Sequence, residues 1–592
     1  MRKLFYASIV LAAFVLTGCP VDKMAQMAED QQLTITPNPL ELHGDTVAFT
    51  ADLNLPVKML KKNTIYTAKF IYKYGDQELE VGGIDFKADD YPQSDVTPPR
   101  ASQRFAFAYT DAMKNGTLEV VGIAKDTRKD KSAESARLPI ADGVITTSRL
   151  VKAVYFPAYA DHGYNNQEEL IPTKIDFFFD QGRSNLKYSE RRSERGREFE
   201  AFIAEKNVTR TVTITGTHSP EGPERINSKL SEDRAKVIEK YYRRQMDKYD
   251  YQGMADSINF VLKPIVDDWG MFKAALADYD GINDEQKSEI LNIINGPGVF
   301  EDKEKALQKL STYRKVFKDV YPGLRAAKTE ILTVKNKKTD AQISVLAKGI
   351  AEGTTSIDTL SVEELMYAAS LTPSLSEKEG IYKAAIKKAD AWNAHANLAA
   401  TYIAMAIEDP SKAAEMAGLA ETQVDLANGK QPSAEAYTTA ASVYLIQGNM
   451  DKAADALDKA ASMNPGGETA NGLKGVRGAI EIRRAKYSAA AASLSGATET
   501  ADNLFNKGLA YLLNDDNDNA ISAFAEAAAL QNDYAMAYYG MAIANARKGD
   551  GAKVAENLKK AIGYDASLKE AAINDLEFKA FAADAAFTSA LK

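Results

Sequence analysis

Residues 211–235 read TVTITGTHSPEGPERINSKLSEDRA. Thr211–Thr215 alternates polar and β-branched apolar residues, the period of a half-buried strand. Gly216 opens a loop that runs through Ser219, Pro220 and Gly222. The stretch Glu224–Met246 then reads as a helix. On it, Asn227, Leu230, Ser231, Arg234 and Ala235 stand at fixed offsets from the two glycines.

These residues resemble the central motif of the OmpA C-terminal family. Its pattern is Gly, two residues, Asp, two residues, Gly, then Asn, Leu-Ser and Arg-Ala. Gly216, Gly222, Asn227, Leu230, Ser231, Arg234 and Ala235 all fall on it, while Ser219 stands where the family has Asp. The resemblance implies a periplasmic peptidoglycan-binding domain that captures the side-chain end of diaminopimelate, a zwitterion. Such a ligand needs a carboxylate for its ammonium and a guanidinium for its carboxylate, and arginine's planar fork suits the second task. Backbone N–H groups at a helix start add to anion binding. By this resemblance Arg234 is the ligand-binding arginine and Asn227 fixes the loop. Two readings of the loop stand side by side. In one, Glu221 supplies the missing negative charge, and Thr217, Ser219 and Asn227 add hydrogen bonds. In the other, Arg234 is structural and the pocket has lost its ligand.

Working outward, an α+β OmpA-like domain is expected over 152–345. Its first strand is Lys174–Asp180, and an amphipathic helix over Arg191–Glu205 puts Phe199, Phe202 and Ile203 on one face. Its later strands are expected at about 258–264 and 328–335, separated by a helical insertion at about 266–322. A subgroup from Bacteroidetes is similar, with Ser-Pro-Glu-Gly in the motif loop and an Asp-Trp helical insert.

Upstream, Arg2 and Lys3 precede an apolar stretch, Leu4–Val15, and then Leu16, Thr17, Gly18 and Cys19. This is the layout of a leader, and it resembles a bacterial lipobox. The resemblance implies a signal peptide over 1–18, lipidation at Cys19 and an outer-membrane anchor facing the periplasm. Residues 19–32 read as a polar tether. From 33 to 151, Val47–Leu55, Tyr66–Tyr74, Arg104–Tyr109 and Thr117–Ile123 read as strands between Gly, Pro, Asp and Asn, suggesting a β-sandwich.

Downstream, 346–592 reads as an all-α solenoid. Tyr437, Ala441, Tyr444, Gly448, Ala453, Leu457, Ala460 and Pro465 occupy tetratricopeptide (TPR) positions, and so do Gly508, Tyr511, Ala520, Phe524 and Ala527. Units starting at Ala501 and Ala535 lie one TPR period, 34 residues, apart. Weaker units cover 361–390, 392–427 and 471–500. A capping tail follows from Ser567.

The chain has 592 residues, net charge −9, four His and one Cys. No long basic run marks a nucleic-acid partner. A His/Cys zinc site is not expected, nor is a cofactor. The acidic run Asn514–Asp518 lacks the Gly and terminal Glu of an EF-hand loop and reads as a solvated turn. No activated nucleophile or acid pair is found, so the chain is not expected to be an enzyme. Two functions fit. The leading one is a cell-envelope scaffold that joins the outer membrane to peptidoglycan and, through the TPR solenoid, to a protein partner. The alternative is an accessory TPR subunit of an outer-membrane secretion, insertion or fibre-assembly machine with little or no peptidoglycan binding.

Overall fold

The computed structural model describes residues 19–251, 253–265 and 269–592. The expected leader, 1–18, lies outside them, as does Asp268 of the Asp-Trp pair. The chain divides into two compact units. One combines the N-terminal part through Tyr164 with Asp340–Lys592, and the other is Asn165–Thr339.

The N-terminal part of the first unit is β-rich. Its strands are β1 (Gln32–Thr36), β2 (Leu40–His43), β3 (Thr46–Asn54), β4 (Thr64–Tyr74), β5 (Gln77–Lys87), β6 (Arg100–Ala108), β7 (Thr117–Asp126), β8 (Ser132–Glu134), β9 (Leu138–Asp142) and β10 (Val144–Ile145). One sheet has the order β1-β3-β2-β10, with β6 also on β3. The other runs β5-β4-β7-β8, with β9 also on β7. Alternation decides which side chains face inward: Val47, Phe49, Ala51 and Leu53 from β3, and Tyr66, Ala68, Phe70 and Tyr72 from β4. Ring pairs tie the sheets together, with Phe49 to Phe70 at 5.9 Å and Phe70 to Phe105 at 4.9 Å. Each buried side chain of this size contributes about 1.5–3 kcal/mol.

The tether expected over 19–32 is instead mostly packed structure. A helix spans Pro20–Met27, and Val21, Met24, Ala25 and Ala28 are buried. Those four positions form one helical stripe, and proline suits the first helical turn. A Cβ on Gly122 of β7 would lie 2.9 Å from the Cβ of Ala28, so helix segment and sheet meet at close range.

The C-terminal part of this unit is an all-helical TPR solenoid. After Asp340–Ala351 come paired helices at Val362–Leu371 and Leu375–Lys388, Trp392–Glu408 and Ala413–Lys430, and Ala434–Ile446 and Met450–Ser462. Three more pairs follow: Gly467–Arg483 and Tyr487–Leu494, Ala501–Leu513 and Asn517–Leu530, and Ala535–Lys548 and Gly551–Tyr564. Small residues admit large ones between repeats. Cβ atoms on Gly508 and Gly540 would fall 2.6 and 2.7 Å from the Phe524 ring. The tail closes the apolar end with Phe578 and Phe587 and also meets the β-rich part. Thr147 Oγ1 donates to Glu577 at 2.7 Å, and Glu577 pairs with Arg547 at 2.5 Å.

Residues 152–164, read from sequence as the start of the α+β domain, belong to this first unit. They run extended along the solenoid, because the solenoid binds their backbone.

The second unit holds β11 (Leu170–Phe178), β12 (Thr209–Gly216), β13 (Asn259–Pro264) and β14 (Ala326–Val334) in the order β11-β14-β12-β13. Only the β12–β13 pair is parallel. Helices Glu194–Ala204 and Glu224–Lys248 supply Phe199, Ile203, Ile238 and Tyr242 to a core shared with Phe177, Val212 and Ile214 of the sheet. Ser193 caps the first of these helices by accepting from the Gly196 amide at 3.2 Å. Between β13 and β14, five short helices from Gly270 to Leu324 pack around Phe272, Leu276, Ile290 and Tyr321.

Candidate functional site

The motif loop leaves β12 at Gly216, where no side chain fits: a Cβ there would lie 1.8 Å from the Ser231 carbonyl oxygen. This contact seats the Glu224–Lys248 helix against the strand. Asn227 Nδ2 donates to the carbonyls of Glu221 and Gly222, both at 3.3 Å, and fixes the loop. Gly222 has φ +98°, a conformation that favours glycine. Thr217 Oγ1 donates to the Leu324 carbonyl at 2.7 Å.

Arg234 is 1% exposed. Its guanidinium donates to three main-chain carbonyls: Thr217 at 2.6 Å, Arg183 at 3.1 Å and Asp180 at 3.2 Å. Its carbon lies 5.3 Å from the Phe179 ring centroid. Burial pushes its pKa down to about 10, with neighbouring Arg325 adding to the fall and Glu221 opposing it. The group therefore stays charged at neutral pH while its fork is spent on the loop and the turn after β11.

Arg325, between the Tyr321–Leu324 helix and β14, meets the other two ligand candidates. Its Nε donates to Ser219 Oγ at 2.9 Å and to Glu221 Oε1 at 3.1 Å. Its Nη2 stands 2.8 Å from the same carboxylate oxygen, with side-chain exposures of 9% and 12% for Arg325 and Glu221. The insertion supplies a third internal partner. Glu301 accepts from the Glu224 amide at 2.9 Å, placing a carboxylate at the N-terminus of the motif helix. Thus Thr217, Ser219, Glu221, Asn227 and Arg234 do come together, and residues of the same unit satisfy much of their bonding capacity. Arg325 was not legible as a site residue, because it lies more than a hundred positions from Ser219 and Glu221.

Beside this loop, Glu304 is buried and accepts from Tyr321 at 2.6 Å and Tyr313 at 2.7 Å. Burial raises its pKa, against the lowering effect of the tyrosine bonds. Trp269 packs at 4.6 Å from Phe300 and 5.5 Å from Phe272.

Cys19 precedes the first helix and is partly buried against the β-rich core. In the acidic run, Asp516 caps the Asn517–Leu530 helix through the Asn519 amide, and Asp518 pairs with Lys548.

The solenoid carries a second site. Four polar side chains, all on first helices of their pairs, each grip one residue of the 152–164 strap by both main-chain atoms. Asn506 takes Lys152, at 2.8 Å to N and 2.9 Å to O. Ser442 takes Phe156, at 2.9 and 3.3 Å. Thr439 takes Ala158, at 3.2 and 3.3 Å. Asn397 takes Ala160, at 2.6 and 3.0 Å. A Cβ at Gly472 would lie 2.2 Å from the Phe156 ring, so this position makes room for that side chain. Tyr164 stacks on Tyr367 at 4.8 Å. The strap's N-terminal end meets the later repeats and its C-terminal end the earlier ones, so this face of the solenoid is lined by the chain itself.

Among the described residues, no helix is long and apolar enough to cross a membrane. The tetratricopeptide repeat family matches residues 434–466 and 501–534. No curated protein matches the chain. Among solved structures, the C-terminal part of a TPR repeat-containing protein from Cytophaga hutchinsonii is similar at 16% identity over 39% of this chain and 92% of that one, with TM-score 0.29. YrrB, a TPR protein with an unusual peptide-binding site, is similar at 22% identity over 31% and 92%, with TM-score 0.25. A tetratricopeptide repeat protein from Parabacteroides merdae is similar at 14% identity over 46% and 96%, also with TM-score 0.25. The C-terminal part of the chain is thus a TPR-repeat region, a type of module that mediates protein–protein interaction.

Proposed function

We propose that this chain is a non-catalytic adaptor of the cell envelope, anchored to the outer membrane through lipid on Cys19 and facing the periplasm. Its TPR region engages a protein partner, and its α+β unit is an OmpA-like domain whose ligand pocket is closed from within. One observation carries this reading: Arg325 occupies Glu221 and Ser219 in the place a ligand ammonium would need. A zwitterion would have to displace that partly buried ion pair. Removing one partner of a buried pair typically costs about 3–5 kcal/mol.

A second reading, a scaffold that also binds peptidoglycan, draws support from one atom. Glu221 Oε2 is buried and has no hydrogen-bond partner among the described residues. Affinity capture from solubilised envelopes separates the two. The adaptor reading expects a protein complex of defined stoichiometry. Recovery of sacculus fragments alone would favour the scaffold.

A further inference from the structure

The β-rich part of the first unit has two unlike ends, and β3 runs between them from Thr46 to Asn54. The Thr46 end is fixed to the solenoid. His43 Nδ1 and the Tyr487 hydroxyl share a hydrogen bond at 2.9 Å, and a Cβ on Gly143 would fall 2.6 Å from Leu576. At the Asn54 end three loops meet: 56–63, 91–99 and 126–131. The Lys58 amide donates to the Ser94 carbonyl at 2.8 Å, and the Thr127 amide to the Asn63 carbonyl at 2.9 Å. Met59 and Leu60 are buried in the sandwich core and hold the first loop in place. Lys58, Lys61, Lys62, Arg128, Lys129 and Lys131 stand on the first and third loops. The acids of the third loop are engaged: Asp130 pairs with Lys125 at 3.4 Å, and Asp126 accepts from the Arg128 and Lys129 amides. The β5–β6 connection adds Asp89, Asp90 and Asp95, so the positive charge belongs to the other two loops. At the tip of the middle loop Val96 is 77% exposed, the most exposed large apolar side chain among the described residues, and Val57 is 39% exposed beside Lys58.

From this arrangement we infer that the three-loop end docks on a bilayer surface bearing anionic lipid headgroups. This deepens the adaptor reading and rests on its membrane location. A chain of net charge −9 gathers six bases at this end, and the negative potential of an anionic leaflet attracts such a cluster. Val57 and Val96 among them supply apolar area for the headgroup boundary, and interfacial binding draws on both terms. A soluble polyanion would match the bases and leave the valines unused. The chain also enters the fold from this end. The helix that follows Cys19 leads into β1 at Gln32, whose register partner is Asn54, just before the first loop. With lipid on Cys19 holding the chain at the bilayer, the loops fix its orientation: headgroups meet one end of the β-rich part, and the solenoid is carried on the other.

The test uses the chain from Pro20 onward, which carries no lipid, and co-flotation with vesicles of phosphatidylcholine alone or mixed with phosphatidylglycerol. At low salt the chain should float with the mixed vesicles and not with the neutral ones, and binding should weaken as salt screens the bases. Lys58→Gln, Lys62→Gln, Arg128→Gln and Lys129→Gln together should weaken it by about 30-fold or more. Val57→Ser with Val96→Ser should weaken it by about fivefold at constant charge. All six side chains are exposed, so both variants should keep the parent's unfolding midpoint. If a variant does not fold, the two vesicle types and the salt series on the unaltered chain decide. Equal flotation with neutral vesicles, no flotation with mixed ones at low salt, or unchanged flotation of the four-base variant overturns the inference. Inorganic polyphosphate bound as tightly as the mixed vesicles, with the valine variant unchanged on both, assigns the end to a soluble polyanion and also overturns it. Failure here alongside a stoichiometric envelope complex removes the docking surface and leaves the adaptor. Docking without such a complex leaves the surface and removes the adaptor.

Discussion

Asn397 holds Ala160 by both of its main-chain polar atoms: Oδ1 accepts from the amide at 2.6 Å, and Nδ2 donates to the carbonyl at 3.0 Å. The pair joins positions 237 residues apart in sequence and pins the strap to a TPR helix. Asn397→Ala leaves both Ala160 groups without their side-chain partner. We expect a loss of about 1–3 kcal/mol in the first unit and faster exchange of the Ala160 amide. Hydrogen exchange by mass spectrometry reads both. Unchanged protection would mean that the strap is held by its rings alone.

Gly216→Ala should disrupt the second unit selectively. The added methyl would meet the Ser231 carbonyl at 1.8 Å, far inside contact distance. The helix must back away from the strand, at a cost of about 1–3 kcal/mol or more. The two tryptophans divide between the units, Trp269 in one and Trp392 in the other. Urea unfolding followed by fluorescence in a Trp392→Phe background should therefore show a lowered midpoint, while helical circular dichroism from the TPR region is retained.

Glu304 gives the second unit a pH dependence of known sign. Its pKa is raised in the folded state, so the folded form binds more protons between the ordinary glutamate value and the raised one. Stability of this unit falls as pH rises through that window, and the gain from protonation is fully present only below it. Glu304→Gln should flatten this slope, as measured by urea midpoints on either side of the window. A slope unaffected by the substitution would assign the effect elsewhere.

Arg547 and Glu577 form an ion pair with side-chain exposures of 11% and 4%. Glu577→Ala strands a buried guanidinium and removes the acceptor for Thr147. The expected cost is about 3–5 kcal/mol in thermal unfolding. Replacing both partners by Met and Leu should cost less than Glu577→Ala alone. An equal or greater loss in the double variant would contradict this.

Local chemistry was legible in the sequence; distant pairing was not. The motif positions could be read because each answers a local backbone demand: Gly216 by close approach, Gly222 by positive φ, and Asn227 by loop carbonyls within six residues. The TPR units showed themselves through Gly508 and Phe524, whose sizes must match. Arg325 was hidden by the insertion that separates it from Glu221. The strap was hidden because the polar side chains that hold its main chain lie 237 to 354 residues away in sequence. The available signal was on the other partner: Asn397, Thr439, Ser442 and Asn506 are polar residues on the apolar inner stripe of Ala-rich helices. The Pro20–Met27 helix was missed because a stripe of four apolar residues across two turns is short against the surrounding polarity.

Co-sedimentation of the chain from Pro20 onward with purified sacculi tests the closed pocket most directly, with and without soluble diaminopimelate-containing stem peptide. The account predicts that the protein stays in the supernatant in both conditions. Pelleting that the stem peptide releases would contradict it, because the Arg325–Glu221 pair would then have yielded to the ligand it is held to exclude.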